Sequence, residues 1–324
     1  MLAAPPQTVR RLSLHATGGE LFGMYVVNLF LTILTLGVYY FWAKTKIRRY
    51  LLSQVEFDGD RFEWHGTGKE LLIGWLKALI LFFLPLFLIT VGLVFLFRDN
   101  PFAAALAQYL VYPIILVVIP IATVGSRRYR LSRASWRGIR FSFRGRAKPF
   151  VKIYVAGALL TGLTIGLYAP FFWNNVRKYL VEHSYFGNVK FQYDGQGGDL
   201  LGRLIRAFFL SIITLGIYWF WFIAERQRYY WSHTSVEGAR FRSTMAGGPL
   251  FRVVLGNFAL FIVTLGIATP WIILRTLRFA FDNLYLEGDL DTAAIVQEAQ
   301  AAGATGEGLT EFLDLEFFDF DLGV

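Results

Sequence analysis

Apolar residues fall along the 324-residue chain in long runs separated by short basic connectors. Leu71 to Phe97 runs 27 residues with Lys77 as its only charge, and Phe102 to Gly125 follows with no charge in 24. Each exceeds the roughly 20 residues that cross a hydrocarbon core of about 30 Å. Four shorter apolar stretches, near 20–43, 150–173, 199–224 and 249–274, are each about long enough to cross or deeply enter a bilayer. The pattern predicts a multi-pass α-helical membrane fold. Arg10 and Arg11 are followed by Gly18-Gly19-Glu20 and a long aromatic segment rather than by a short apolar core and cleavage site, so the first stretch reads as an uncleaved membrane helix.

The apolar stretches carry matching blocks. Thr35-Leu36-Gly37-Val38-Tyr39, Thr164-Ile165-Gly166-Leu167-Tyr168, Thr214-Leu215-Gly216-Ile217-Tyr218 and Thr264-Leu265-Gly266-Ile267 are copies of one another, and the last three glycines lie 50 residues apart. Twelve or thirteen residues beyond each glycine come Arg49-Tyr50, Lys178-Tyr179, Arg228-Tyr229 and Arg278-Phe279. A third block closes each unit: Phe57 to Phe62, Trp136 to Phe141 and Val236 to Phe241, with looser versions at Phe186 to Phe191 and Leu286 to Leu290. Alternation around Asp-Gly, Arg-Gly or Glu-Gly predicts small β-hairpins with glycine at positive φ. The chain therefore divides into units of about 50 residues at 12–62, 63–141, 142–191, 192–241 and 242–290, followed by a tail over 291–324. Each unit reads as apolar helix, Thr-Leu-Gly break, basic amphipathic helix and hairpin. The second unit lacks Thr-Leu-Gly and is longer by about one span, with two apolar helices joined at Arg98-Asp99-Asn100-Pro101 as a transmembrane hairpin.

Charge orients this arrangement. Only 17% of residues are charged and 55% are hydrophobic, against roughly a quarter charged in soluble domains. The net charge of +9 sits beside apolar spans, where the positive-inside rule places it, and points to anionic membrane lipids rather than nucleic acid. Ser126 to Phe150 alone holds nine Arg or Lys and no acid. If the chain turns back at each Thr-Leu-Gly, all the basic hairpins share one, cytoplasmic, side. The returning arms are then either re-entrant or surface-lying; their apolar part is too short to span. From Glu287 onward the sign reverses, with ten acids and no Lys or Arg. Phe312 to Phe320 alternates acids with large apolar groups and is expected to dock on the basic hairpins.

Candidate chemistry is sparse. His65-Gly66-Thr67-Gly68-Lys69-Glu70 lacks the Ser or Thr and the earlier glycine of a phosphate loop, so its glycines are assigned to strand-to-helix geometry. His15, His65, His183 and His233 have no metal-ligand spacing, and the absence of cysteine removes disulfides and thiolate sites. No nucleophile elbow or intramembrane carboxylate pair occurs, so no catalytic residue, cofactor or metal is assigned and the expectation is a protein that is not an enzyme. Two polar registers remain. Asn28 and Asn257, with Thr32, Thr161 and Ser211, lie at matching depth as candidates for a solute path or for helix packing. Arg49, Arg128, Lys178, Arg228 and Arg278 are candidate contacts for anionic lipid headgroups or acidic side chains.

The fourfold Thr-Leu-Gly-aromatic block, the Arg-Tyr register, the Gly-x-x-Phe hairpins and the Phe318-Asp319-Phe320-Asp321-Leu322-Gly323 ending together resemble the YjgN-like family of bacterial inner-membrane proteins. The resemblance covers nearly the whole chain. It implies a multi-pass inner-membrane location and brings no reaction, substrate or catalytic residue. The expectation is a transporter or channel for a small solute, with a lipid-binding or scaffolding membrane protein as the alternative.

Overall fold

A computed structural model describes residues 9–100, 102, 109, 111–290 and 295–297. Its short alternating runs become β1 (Val9–Leu14), β2 (Val55–Phe57), β3 (Asp60–Trp64), β4 (Ala134–Trp136), β5 (Ile139–Phe143), β6 (Ser184–Phe186), β7 (Val189–Tyr193), β8 (Thr234–Val236), β9 (Ala239–Ser243) and β10 (Leu284–Glu287). Among the described residues these ten strands form one closed antiparallel barrel in chain order. Two-residue turns join β2 to β3, β4 to β5 and β8 to β9, with Asp58-Gly59, Arg137-Gly138 and Glu237-Gly238 all at positive φ, the backbone twist a tight hairpin requires. Leu286 to Leu290 makes no hairpin of its own. Instead β10 pairs with β1, Val9 opposite Glu287 and Arg10 opposite Leu286, while the second half of β1 pairs with β2, Leu12 opposite Phe57. Closure leaves no strand edge exposed.

The expected multi-pass α-helical fold with separate hairpins is therefore overturned. The hairpins are parts of a single barrel, and among the described residues only two helices, α3 (Gly68–Leu96) and α4 (Val111–Arg133), are long and apolar enough to cross a membrane. The other helices form antiparallel pairs: α1 (Gly18–Leu34) with α2 (Tyr40–Ser53), α5 (Ala147–Leu163) with α6 (Ala169–Glu182), α7 (Gly198–Ile213) with α8 (Trp219–Ser232), and α9 (Gly247–Val263) with α10 (Thr269–Asp282). All rise from the one barrel, so all start and return on the same side of it.

Thr-Leu-Gly is the physical reason. Leu36 and Gly37 both take left-handed backbone, at φ 52° and 93°, and Ile165-Gly166, Leu215-Gly216 and Leu265-Gly266 repeat this. The Gly37 N–H donates to the Thr32 carbonyl at 2.8 Å, the six-to-one bond of a Schellman cap, as do Gly166 to Thr161, Gly216 to Ser211 and Gly266 to Phe261. The threonine then starts the returning helix, its hydroxyl accepting the N–H of Tyr39 at 2.9 Å, with Thr164, Thr214 and Thr264 doing the same for Tyr168, Tyr218 and Ala268. An apolar stretch that reads as one span is thus cut into two antiparallel helices. The long α3 carries a π-turn over Leu79–Phe83, just before Pro85, whose missing N–H and bulky ring disrupt the preceding turn. Residue 101 and residues 103–108 and 110 of the second unit's connection lie outside the described residues.

Candidate functional site

Two features dominate the molecule: a ring of polar staples where helices meet barrel, and the barrel lumen. The staples use the Arg-Tyr register. Tyr50 on α2 donates to the Glu20 carboxylate at 2.6 Å and accepts the Thr17 N–H, tying the end of its helical pair to the start. Tyr129 reaches Glu70 at 3.1 Å, Tyr179 the Arg146 carbonyl at 2.7 Å, and Tyr229 both the Gln196 carbonyl and the Asp199 carboxylate. Burial first, then the bond to Asp199, pushes the Tyr229 hydroxyl up to about 12.

The preceding basic residue reaches the next pair. Arg49 donates to the Gly66 carbonyl at 3.3 Å, Arg128 to Gly145 at 2.6 Å, and Arg278 to Ala16 at 2.7 Å, the last joining the end of the ring to its beginning. These three guanidinium groups, candidates for lipid headgroups or acidic side chains, each donate to a backbone carbonyl. Lys178 lies 4.0 Å from Glu182 on its own helix. Arg228 lines an open polar groove of about 670 Å³ together with Arg203, Arg206, His233 and Arg242. Within it Arg206 bonds Glu225 and Arg242 bonds Glu287, whereas Arg228 makes no ion pair among the described residues.

The polar register inside the helices does not converge on a cavity. Thr32 turns its hydroxyl back to the Asn28 carbonyl at 2.7 Å, Thr161 does likewise to Gly157, and Asn257 donates to Thr276 at 2.9 Å. Asn28 is buried with no hydrogen bond from its amide among the described residues, and the Ser211 hydroxyl is in the same position. None of these residues lines the groove or the lumen.

Several residues outside those registers prove structural. Glu70 completes a capping box with Thr67 and also accepts Arg133 through two nitrogens, at 2.8 and 3.1 Å. The Thr-x-x-Glu spacing at 17–20 and 67–70 was a readable signal for it. Gly68 lies against the preceding helix, where a β-carbon would come 2.7 Å from the Trp42 Cα; Gly197 meets Phe171 and Gly247 meets Trp221 in the same way. His65 bonds Ser135 at 2.7 Å, and His183 and His233 each bond the carbonyl four residues before them.

The barrel lumen encloses a cavity of about 330 Å³ lined entirely by apolar side chains. An aromatic wall runs across it, Trp136 standing 5.3 Å from Phe57 and 5.7 Å from Phe186, and Phe141 4.8 Å from Phe186. Leu52, Leu131, Trp231 and Phe281, from the ends of α2, α4, α8 and α10, line its helix side. At the opposite end Leu290 and Ile295 are buried over the mouth, held by Asn188, whose N–H donates to the Val296 carbonyl while its side-chain oxygen accepts the Val296 N–H at 3.0 Å. The expected docking segment, Phe312 to Phe320, lies outside the described residues.

A profile of the family described as "Bacterial protein of unknown function (DUF898)" matches residues 9–210, 190–242 and 222–312. The chain is similar to Inner membrane protein YjgN of Escherichia coli K12, 33% identical over 158 residues that cover 49% of this chain and 36% of that protein. It is 36% identical over 129 residues to the protein of the same name from Escherichia coli O157:H7, covering 40% of this chain and 30% of the relative. Against the Salmonella typhimurium LT2 protein of that name it is 29% identical over 126 residues, 39% of this chain and 29% of the relative. The matches thus span about a third of the curated relatives' length. No solved structure matches the chain.

Proposed function

The chain belongs to the DUF898 family of bacterial proteins of unknown function, and on that premise we propose that it is a lipid-binding protein of the bacterial inner membrane, inserted from the cytoplasmic face and without a catalytic step. The inner-membrane names of its relatives support the location. One observation carries the rest: the four helical-pair tips present Leu36, Ile165, Leu215 and Leu265 at 90–95% exposure, although a left-handed backbone position would suit glycine better. Large aliphatic groups at strained, contact-free tips are favourable only where the medium is apolar.

The depth follows from the charges. The charges nearest the tips are Lys44 eight residues after Leu36, Arg177 twelve after Ile165, Arg206 nine before Leu215 and Arg275 ten after Leu265, so the apolar ends reach about 12–18 Å beyond the last charge at 1.5 Å per residue. That is roughly one leaflet of a core about 30 Å thick. In this reading the shorter pairs enter a single leaflet while α3 and α4 reach across it, and the barrel stands in the cytoplasm with the basic groove at headgroup level.

A solute path through Asn28 and Asn257 is the less supported alternative, because Asn257 is bonded to Thr276 on the paired helix, neither asparagine lines the groove or the lumen, and the lumen is apolar. Arg203 and Arg228 in the groove fit the phosphate of an anionic lipid. The test is native mass spectrometry from nanodiscs containing equal phosphatidylglycerol and phosphatidylcholine. Preferential retention of phosphatidylglycerol, lost in an Arg203→Glu, Arg228→Glu double variant, is the expected result. Equal retention of both lipids, or no change in the variant, refutes the headgroup site.

A further inference from the structure

We propose that the barrel lumen is a binding site for the hydrocarbon chain of a single-chain amphiphile whose anionic head is held by Arg127 and Arg177. This deepens the lipid-binding reading and rests on it. Ten short strands enclose more space than their own side chains fill: the aromatic wall of Phe57, Trp136 and Phe186 faces Val236 and Leu286 across a cavity of about 330 Å³. Its lining offers nothing for a polar solute to bond, and an apolar cavity of this kind excludes water rather than ordering it. Taking a methylene as similar in size to the ~30 Å³ of a liquid water, the space holds on the order of ten carbons. That suits most of one alkyl chain and excludes a two-chain phospholipid.

The polar end is marked by a small neck of about 20 Å³, too small to hold a head group itself, that shares Phe191, Trp231 and Phe241 with the lumen and is lined by Arg127, Arg177, Ser184 and Thr234, so the head sits against this rim of the lumen. Arg177 is 4% exposed and stands over the Trp231 ring at 5.0 Å and the Tyr230 ring at 5.6 Å, so its charge is fixed at this end. Arg127 comes from α4 and Arg177 from α6, both close to where those helices enter the barrel, which places the positive charge on the membrane side. At the far end Leu290 lines the lumen and Ile295 is buried in the same apolar cluster. A chain running from two guanidinium groups into an oily lumen has one polar end and one apolar end, as a long-chain carboxylate or a lysophosphate does.

The probe is a long-chain fatty acid with a diazirine on its chain, added to the full-length protein in detergent and mapped by peptide mass spectrometry after irradiation. Saturable labelling of peptides containing Phe57, Trp136, Val236 or Leu286, competed by unlabelled fatty acid or lysophosphatidate of the same chain length, is expected. Competition by only one of the two identifies the head. Ala134→Phe, which fills the lumen, should cut labelling at least tenfold while phosphatidylglycerol retention at the groove persists. Arg177→Gln should weaken the fatty acid at least tenfold and leave the matching long-chain alcohol unchanged. Labelling confined to the helical tips of the wild type overturns the proposal whatever the variants do. Equal binding of acid and alcohol overturns the head assignment, and loss of groove lipid with intact lumen labelling would instead sink the headgroup reading.

Discussion

Placing a single arginine at a helical-pair tip tests the membrane geometry directly. Leu215 is 93% exposed and touches almost nothing in the protein, so in water Leu215→Arg should change stability by no more than about 0.5 kcal/mol. Near a bilayer midplane the same replacement exchanges a favourable residue for one costing about 2.5–3.5 kcal/mol, a difference of ~3 kcal/mol. At about 1.4 kcal/mol per decade this is two orders of magnitude in the equilibrium for seating that helical pair. Leu36 sits on a different pair, so a Leu36→Arg, Leu215→Arg double variant should lose roughly the sum, ~6 kcal/mol, as separated sites add. That is comparable with the whole stability of an ordinary domain. Urea unfolding in phosphatidylglycerol nanodiscs, followed by tryptophan fluorescence, reads the loss. Single variants within about 0.5 kcal/mol of wild type would place the tips outside hydrocarbon and refute the one-leaflet insertion.

Three further outcomes are expected. Gly68→Ala drives a β-carbon to 2.7 Å from the Trp42 backbone and should cost about 1–3 kcal/mol in thermal unfolding, whereas Gly19→Ala, with nothing within 4 Å, should be neutral. The Tyr229 hydroxyl titrates at about 12 rather than its ordinary 10.0, so its contribution is complete below pH 10 and is lost as the pH rises through 12; Tyr229→Phe should show a shallower fall in thermal midpoint across that window. The chain has no cysteine, so Asp58→Cys and Glu237→Cys report sidedness cleanly; both turns lie at the far end of one barrel, and an impermeant maleimide applied to intact spheroplasts should label neither, while labelling of only one of them would break the single-sided arrangement.

The hairpin positions were legible in the sequence because Asp-Gly, Arg-Gly and Glu-Gly between alternating apolar residues specify a local turn. That those hairpins join into a barrel was not legible, since each strand is only three to six residues long and pairing between units is non-local. Thr-Leu-Gly is readable as a break, but its strength lies in two consecutive left-handed residues, and Leu36 or Ile165 at positive φ is a conformation that side-chain type argues against. Counting apolar runs overstates the crossings for the same reason. Arg49, Arg128 and Arg278 stand out by spacing, yet spacing cannot distinguish an arginine facing headgroups from one bonding a carbonyl of the neighbouring unit. The lumen was invisible because its lining comes a residue or two at a time from strands spread along the whole chain.

The order of strands explains how so much short structure holds together. Each β-strand pairs with its neighbours in strand order, across either a hairpin turn or one helical pair, so the barrel can assemble by successive additions, and only the β1–β10 seam joins the two ends of the chain. Closing a loop of that length from a free coil would cost on the order of 5 kcal/mol. Once the other pairings stand, however, β10 already lies beside the place β1 must occupy, and the cost falls to ordering six residues. Side chains on and beside the two strands then hold the seam shut. Arg11 of β1 stacks on Tyr285 of β10 at 4.6 Å, Arg10 donates to the Leu290 carbonyl at 3.4 Å just past β10, and Arg278 at the end of the last helix donates to the Ala16 carbonyl just past β1, while Leu12 and Leu286 face the lumen. Polar groups at the rim and aliphatic groups on the inner side hold the one junction among the described strands that is tied by neither a hairpin turn nor a helical pair. The barrel's integrity and the dryness of its lumen therefore depend on the same few residues of β1.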